Sequence, residues 1–228
     1  MDADPFETLK QQVIQCRACP RLTDYREQVG LRKRRAYQTE EYWAKAVPGF
    51  GDADARVLIL GLAPGAHGSN RTGRMFTGDA SGDFLYPALF RAGFANQPNS
   101  QSMDDGLKLK DVYVTAVCRC VPPENKPQPE EISNCRPFLE SEIQNLPRLQ
   151  GIVALGKIAY DALLQLVFLQ SREKIQLQFG HGVFVERSAE RPWIMASYHP
   201  SRQNTQTRRL TIAMFDEIWL RVRSLLVL

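Results

Sequence analysis

Residues 56–82, RVLILGLAPGAHGSNRTGRMFTGDASG, decide how this chain folds. The apolar run Arg56–Leu60 has the length and composition of a buried strand, and a helical pattern begins at Gly82. Between them lies a polar loop with six glycines in the 22 residues from Gly61 to Gly82. That is too long for a plain connection, and loops of such length in compact domains are mostly functional. Glycine lets a backbone approach a ligand closely or take up positive φ. Open α/β sheets bind small molecules at the carboxyl ends of their strands, so the stretch reads as the floor of an active site.

Working outward, Phe6 to Val13 has the period of a short amphipathic helix, and Arg21 to Asp54 is basic, aromatic and irregular or helical. After Arg56–Leu60 the pattern predicts helix Gly82–Ala92, strand Asp111–Val117, helix Pro129–Leu146, strand Gly151–Leu155 and helix Lys157–Leu169. A polar break at Ser171–Lys174 precedes strands Gly182–Glu186 and Pro192–Ser197, and helix Leu210–Leu226 closes the chain. The alternation implies an α/β fold, a central mostly parallel sheet flanked by helices on both faces. The glycine-rich loop, the segment after Val117 and the segment after Ser197 then meet at one sheet edge.

With 228 residues the chain fits one domain spanning 1–228, large enough to bury a core without disulfides. No stretch reaches the roughly 20 apolar residues of a membrane span, and the start MDADPFETLK lacks an export pattern, so a cytoplasmic protein with no membrane partner is expected. The net charge is only +4, from 29 basic and 25 acidic residues. It is unevenly spread, with RKRR at Arg32–Arg35 and Arg202, Arg208 and Arg209 near the end; phosphate backbones reward such clusters, although solvated surface charge has the same look. Five cysteines, an odd count, argue for reduced thiols, free or metal-bound. Cys16 and Cys19 form one pair, and Cys118, Cys120 and Cys135 flank VPPENKPQPEE. Four thiolates could hold zinc or an iron–sulfur cluster, and spacing does not separate the two.

The loop lacks both the G-x-G-x-x-G and the G-K-[ST] of nucleotide sites. Pro64 instead suggests an extended segment lining a compact pocket. Within it Phe76 offers a stacking face or a core residue, and Asp79 a carboxylate or an N-cap for the helix near Ser81. His199 is delivered at a strand end, with Pro200 holding its backbone extended, as an acid, base or hydrogen-bond donor. His67 and His181 read as structural.

The first loop, SYHPSRQNT at 197–205, the CRAC pair and CVPPENKPQPEEISNC at 120–135 together resemble the iron–sulfur uracil-DNA glycosylases, and the first loop is most similar to the type-5 branch. The resemblance covers Cys16 to about Leu210. It implies the three-layer α/β/α fold of those enzymes, a structural [4Fe–4S] cluster on Cys16, Cys19, Cys120 and Cys135 with Cys118 spare, and uracil-containing DNA as partner. Excising a base requires extruding it from the stack into a pocket. The resemblance gives Phe76 the role of stacking on the base, Asn125 that of reading its amide edge, His199 that of binding the departing carbonyl oxygen, and backbone amides at Gly65 and Ala66 that of helping it.

Two departures matter. Related enzymes carry an acidic residue at the position of Ala63 or Leu62, so the water-activating carboxylate is expected at Asp79, with Asp83 a poorer choice. Stricter uracil enzymes place a tyrosine at the Gly65 position, so glycine here implies room for larger deaminated bases such as hypoxanthine. Arg202 is the expected wedge or clamp, with Arg208 and Arg209 on phosphates. The expected enzyme is a nucleoid-associated monomer with a sliding clamp as a possible partner, and it is monofunctional because the candidate catalytic loops hold no lysine to form a Schiff base, Lys126 being the only nearby exception. The rival readings are a non-catalytic iron–sulfur nucleic-acid-binding module, and a metal-dependent nucleotide hydrolase, for which carboxylates are too few.

Overall fold

A computed structural model describes residues 4–187 and 191–226. Six strands form one sheet: β1 (Phe50–Gly51), β2 (Val57–Gly61), β3 (Val112–Ala116), β4 (Gly151–Leu155), β5 (Phe184–Val185) and β6 (Trp193–Ser197), in the order β1-β3-β2-β4-β6-β5. The inner four run parallel, and the two-residue edge strands β1 and β5 pair antiparallel to β3 and β6. Every residue of β2, β3 and β4 is buried, as expected of parallel strands covered on both faces.

The α-helices among the described residues are α1 (Pro5–Gln15), α2 (Pro20–Arg32), α3 (Ser69–Thr72), α4 (Gly82–Arg91), α5 (Pro129–Gln144), α6 (Lys157–Ser171), α7 (Arg202–Gln206) and α8 (Ile212–Leu226). Alternation along the strands sorts the sheet residues between two cores. Val57, Ile59, Val114 and Val153 face Leu85 and Leu89 of α4 and Phe215 and Trp219 of α8. Leu58, Leu60, Ile152 and Ala154 face Leu139 of α5 and Tyr160 and Leu163 of α6. The result is the three-layer α/β/α arrangement expected from the alternation. No described helix is long and apolar enough to cross a membrane.

The differences from the sequence reading lie in its irregular parts. Pro20 at N1 opens a full helix, Pro20–Arg32, inside the stretch read as irregular or helical, and Leu22, Thr23 and Arg26 bury its inner face. β1, α3 and α7 have two, four and five residues, too short to show a period. The strand expected at Gly182–Glu186 shrinks to Phe184–Val185, because Gly182 takes a φ of +78° and turns the chain.

Connections leaving the carboxyl ends of β2, β3 and β6 share one edge. Val117 N and Cys118 N donate to Gly61 O and Leu62 O at 3.0 and 2.9 Å, zipping two of them together beyond the strands. The connection after β3 is held by a buried ion pair, Arg119 to Glu142 of α5 at 2.6 Å, each side chain 1% exposed. Removing one partner of such a pair strands a buried charge, at a cost of about 3–5 kcal/mol. Glu142→Gln should therefore lower the urea-unfolding free energy by that order, while Arg119→Met with Glu142→Leu recovers most of it. A single variant as stable as the parent would contradict this account.

Candidate active site

The glycine-rich loop is a braced structure. Its α3 closes at Gly73, whose φ of +78° ends the helix. Arg71 pairs with Glu40, donates to His67 O at 2.8 Å and Gly78 O at 3.0 Å, and stacks over the Tyr37 ring at 4.0 Å. Arg74 forms a fork with Asp105 at 2.7 and 2.8 Å and donates to Thr77 Oγ1 at 2.9 Å. Charge-assisted bonds of this kind fix a loop that regular structure does not.

Between these braces Phe76 takes a φ of +52°, an outlier for a bulky residue. A Cβ on Gly82 would run into Phe76 O, so the turn requires glycine there. The Phe76 ring is stacked against His199, centroids 5.8 Å apart and planes 28° from parallel. His199 leaves β6 and is fixed through its carbonyl, which accepts from Asn204 Nδ2 at 2.9 Å. Desolvation pulls the imidazole pKa down to about 4 from 6.5, so the ring is neutral at physiological pH and donates a proton from one nitrogen only.

Asp79 divides its two oxygens between a helix end and the loop. Its Oδ1 accepts from Ser81 N at 3.0 Å and Gly82 N at 3.2 Å, capping α4. Its Oδ2 has no partner among the described residues and lies over the glycines of the loop, where a Cβ on Gly65 would come within 2.6 Å and one on Gly68 would collide. Burial raises the carboxyl pKa above its usual value, against the two backbone donors. Burial also raises that of Asp83, which makes no such bonds.

All of these groups border one cleft of about 1310 Å³, in which Gly65, Ala66, Phe76, Asp79, Asp83, Asn125, His199 and Arg202 come together. Asn125 stands exposed at the rim, in a short turn where both Glu124 and Asn125 have positive φ. Arg202 opens α7, exposed. Arg208 and Arg209 are exposed and do not border the cleft; Arg209 lies over the Tyr198 ring at 4.8 Å. Lys126 is exposed beside Glu124 at 3.2 Å and outside the cleft, whereas Lys45 stands exposed at its mouth.

Glycine at 65 has a packing role beside the one read in the sequence. The space a side chain would occupy there is taken by Asp79 Oδ2, so Gly65→Tyr would displace the carboxylate before it sorted bases by size. His67, read as structural, borders the cleft, its Nδ1 3.0 Å from the Tyr42 hydroxyl. His181 is structural, 3.3 Å from Tyr198 N and 3.2 Å from Met214 O.

The cysteines gather below the cleft. Cys16 ends α1, Cys19 caps α2, Cys120 follows β3 and Cys135 sits within α5. Cys16, Cys19 and Cys120 share a small apolar cluster with Val13, Leu22 and Phe138. Arg26 donates to Cys120 Sγ at 2.9 Å and Cys16 O at 3.1 Å, while its buried Nε has no partner among the described residues. Asn134 Nδ2 is 3.5 Å from Cys19 Sγ. Cys118 is buried in the core beside Cys135, and their proximity pushes the Cys118 thiol up and the Cys135 thiol down. Among the described residues no group of three or more His, Cys, Asp and Glu stands ready to hold a single ion. A thiol set facing a buried guanidinium suits an anionic, thiolate-held group.

Residues 48–223 match the family model of the Uracil DNA glycosylase superfamily. The type-5 uracil-DNA glycosylase of Thermus thermophilus is 52% identical over 219 residues, which cover 96% of this chain and 97% of that protein. That of Pyrobaculum aerophilum is 42% identical over 219 residues, 96% and 92% of the two. A type-4 uracil-DNA glycosylase of Archaeoglobus fulgidus is 30% identical over 177 residues, 77% of this chain and 79% of that one.

The low pKa of His199 is directly measurable. Nitrogen-15 NMR should find the ring still neutral as pH falls through 6.5, charging only near 4. Over that window the unfolded chain binds a proton that the folded chain does not, so stability falls as pH falls. A midpoint at 6.5 or above would show that the ring is not desolvated.

Proposed function

This chain belongs to the uracil-DNA glycosylase superfamily and to its type-5 branch, and we propose that its cleft hydrolyses the N-glycosidic bond of an extruded uracil in DNA, leaving an abasic site. The observation that carries the assignment of roles is the meeting of Asp79 and His199, 120 residues apart in sequence, on one cleft. Breaking the bond builds positive charge on the sugar and negative charge on the base. His199, neutral, donates a hydrogen bond to the departing carbonyl oxygen, and amides at Gly65 and Ala66 help to hold it. Asp79 Oδ2, unpartnered and made more basic by burial, takes the proton of the attacking water. Phe76 stacks on the base, and Asn125 supplies a donor and an acceptor to its edge.

Among the described residues no lysine lies desolvated in the cleft to form a Schiff base, in keeping with a monofunctional enzyme whose nucleophile is water. Arg202 at the rim fills or clamps the gap left by the base, and Arg208 and Arg209 lie further along the same connection for phosphates. Hypoxanthine is a second substrate, taken in a cleft of about 1310 Å³ that no aromatic side chain at position 65 narrows. The chain works in the cytoplasm as a monomer.

Cys16, Cys19, Cys120 and Cys135 hold a [4Fe–4S] cluster, with the Arg26 guanidinium beside its thiolates. The cluster ties α1, α2 and α5 together; hydrolysis needs no electron from it. Anaerobically purified protein should carry iron, acid-labile sulfide and visible charge-transfer absorbance, all lost with Cys135→Ala. Colourless protein containing zinc would refute the assignment.

The function itself is tested on labelled duplexes bearing one uracil or one hypoxanthine, with alkali to nick abasic sites. Asp79→Asn keeps the Oδ1 cap and removes the charge, so its single-turnover rate should fall by about two to four orders of magnitude while the fold persists. A wild-type rate in that variant would remove Asp79 from the mechanism.

A further inference from the structure

The basic run at Arg32–Arg35 is used by nothing in the site above. It closes α2, and its shape is fixed. Lys33 takes a φ of +49° and turns its ammonium inward onto Glu40 O at 2.7 Å. That leaves Arg32, Arg34 and Arg35 exposed, and none of the three has an ion pair or side-chain hydrogen bond among the described residues. The Arg34 amide donates to the Tyr42 hydroxyl at 3.4 Å, and the same hydroxyl meets His67 Nδ1 at 3.0 Å. Next along the chain, Tyr37 stacks under Arg71 and Glu40 pairs with it. The arginines are therefore mounted on the glycine-rich loop, and Arg34 itself borders the cleft that Arg202 borders from α7.

The other end of α2 is equally fixed. Arg21 forms a fork with Glu131 of α5 at 2.7 Å, and Arg26 reaches Cys120. Thirteen residues of helix, about 20 Å of rod, join that anchor to the arginines. Three unpaired cations on a rigid support at the mouth of a base pocket fit the phosphates of a duplex. Such contacts position a protein on DNA without reading sequence.

We propose that the carboxyl-terminal turn of α2 is a second DNA-binding jaw, in which Arg32, Arg34 and Arg35 contact backbone phosphates beside the extruded nucleotide. This rests on the glycosylase reading for the nucleotide, and it places the duplex between α2 and α7. Every phosphate neutralised releases counterions, steepening the dependence of log affinity on log salt by about 0.9 per contact.

The test compares the full chain with R32Q/R34Q/R35Q and with K108Q/K110Q/R148Q. The second set removes the same charge from exposed positions preceding β3 and β4, at the opposite edge of the sheet. Affinity for an undamaged duplex is measured against salt, and excision of uracil in single turnover at saturating enzyme. The α2 variant should lose about 2 to 3 from the slope and the control little, and the control should keep the saturated rate. An unchanged slope in the α2 variant, or equal losses in the two variants, overturns the jaw. A wild-type protein that leaves uracil uncut overturns the glycosylase reading instead, and the slope comparison on undamaged DNA still decides the jaw.

Discussion

The site depends on a phenylalanine held in a conformation it would not choose. At a φ of +52° Phe76 stores strain of about 1–3 kcal/mol, which persists only because the surroundings over-determine it. Tyr86 donates to the neighbouring Met75 carbonyl at 2.7 Å, Arg74 locks Thr77 on the other side, and the chain passes over Gly82 where no Cβ fits. In relaxed backbone the ring would not lie along His199, and the turn that carries Asp79 onto the amino end of α4 would start from another place. One local distortion thus sets the stacking face and the carboxylate together.

The electrostatics of the cleft follow from the same crowding. Desolvation disfavours charge of either sign, so it raises the carboxyl pKa of Asp79 and lowers the imidazole pKa of His199. The two shifts create a more basic carboxylate and a neutral donor, a pairing that exposed side chains would not offer. Asp79 remains ionisable because two backbone amides serve one of its oxygens. The division of labour between its oxygens reconciles capping with chemistry: the oxygen that closes the helix end orients the one that faces the cleft.

The layering of the fold was legible because buried parallel strands announce themselves as unbroken apolar runs and the helices between them are long enough to show a period. The edge carrying the site was legible too, since it follows from strand direction alone. What stayed hidden had no periodic signal. α3 and α7 span barely a turn, and Tyr42, Glu40 and Tyr37 reach the glycine-rich loop from an aromatic segment whose path only the folded chain reveals. That His67 borders the cleft was hidden as well, because its partner hydroxyl is 25 residues away. Gly65 is a companion case: a neighbouring carboxylate lies where its Cβ would stand, and sequence spacing gives no hint that Asp79 folds back over it.

The cysteine site and the cleft are mechanically one object. Cys120 and Cys135 bracket the connection that carries Asn125 to the rim, and Cys19 starts the helix that ends at the arginines beside it. Arg26, buried in that helix, touches Cys120 Sγ, while its carbonyl accepts from Asn70 Nδ2 of the glycine-rich loop at 3.2 Å. A group held by Cys16, Cys19, Cys120 and Cys135, as proposed above, would therefore brace three walls of the pocket at a distance without touching substrate. An apolar core could not do the same, because each of these segments is a loop or a helix end with too little buried surface to hold its own position.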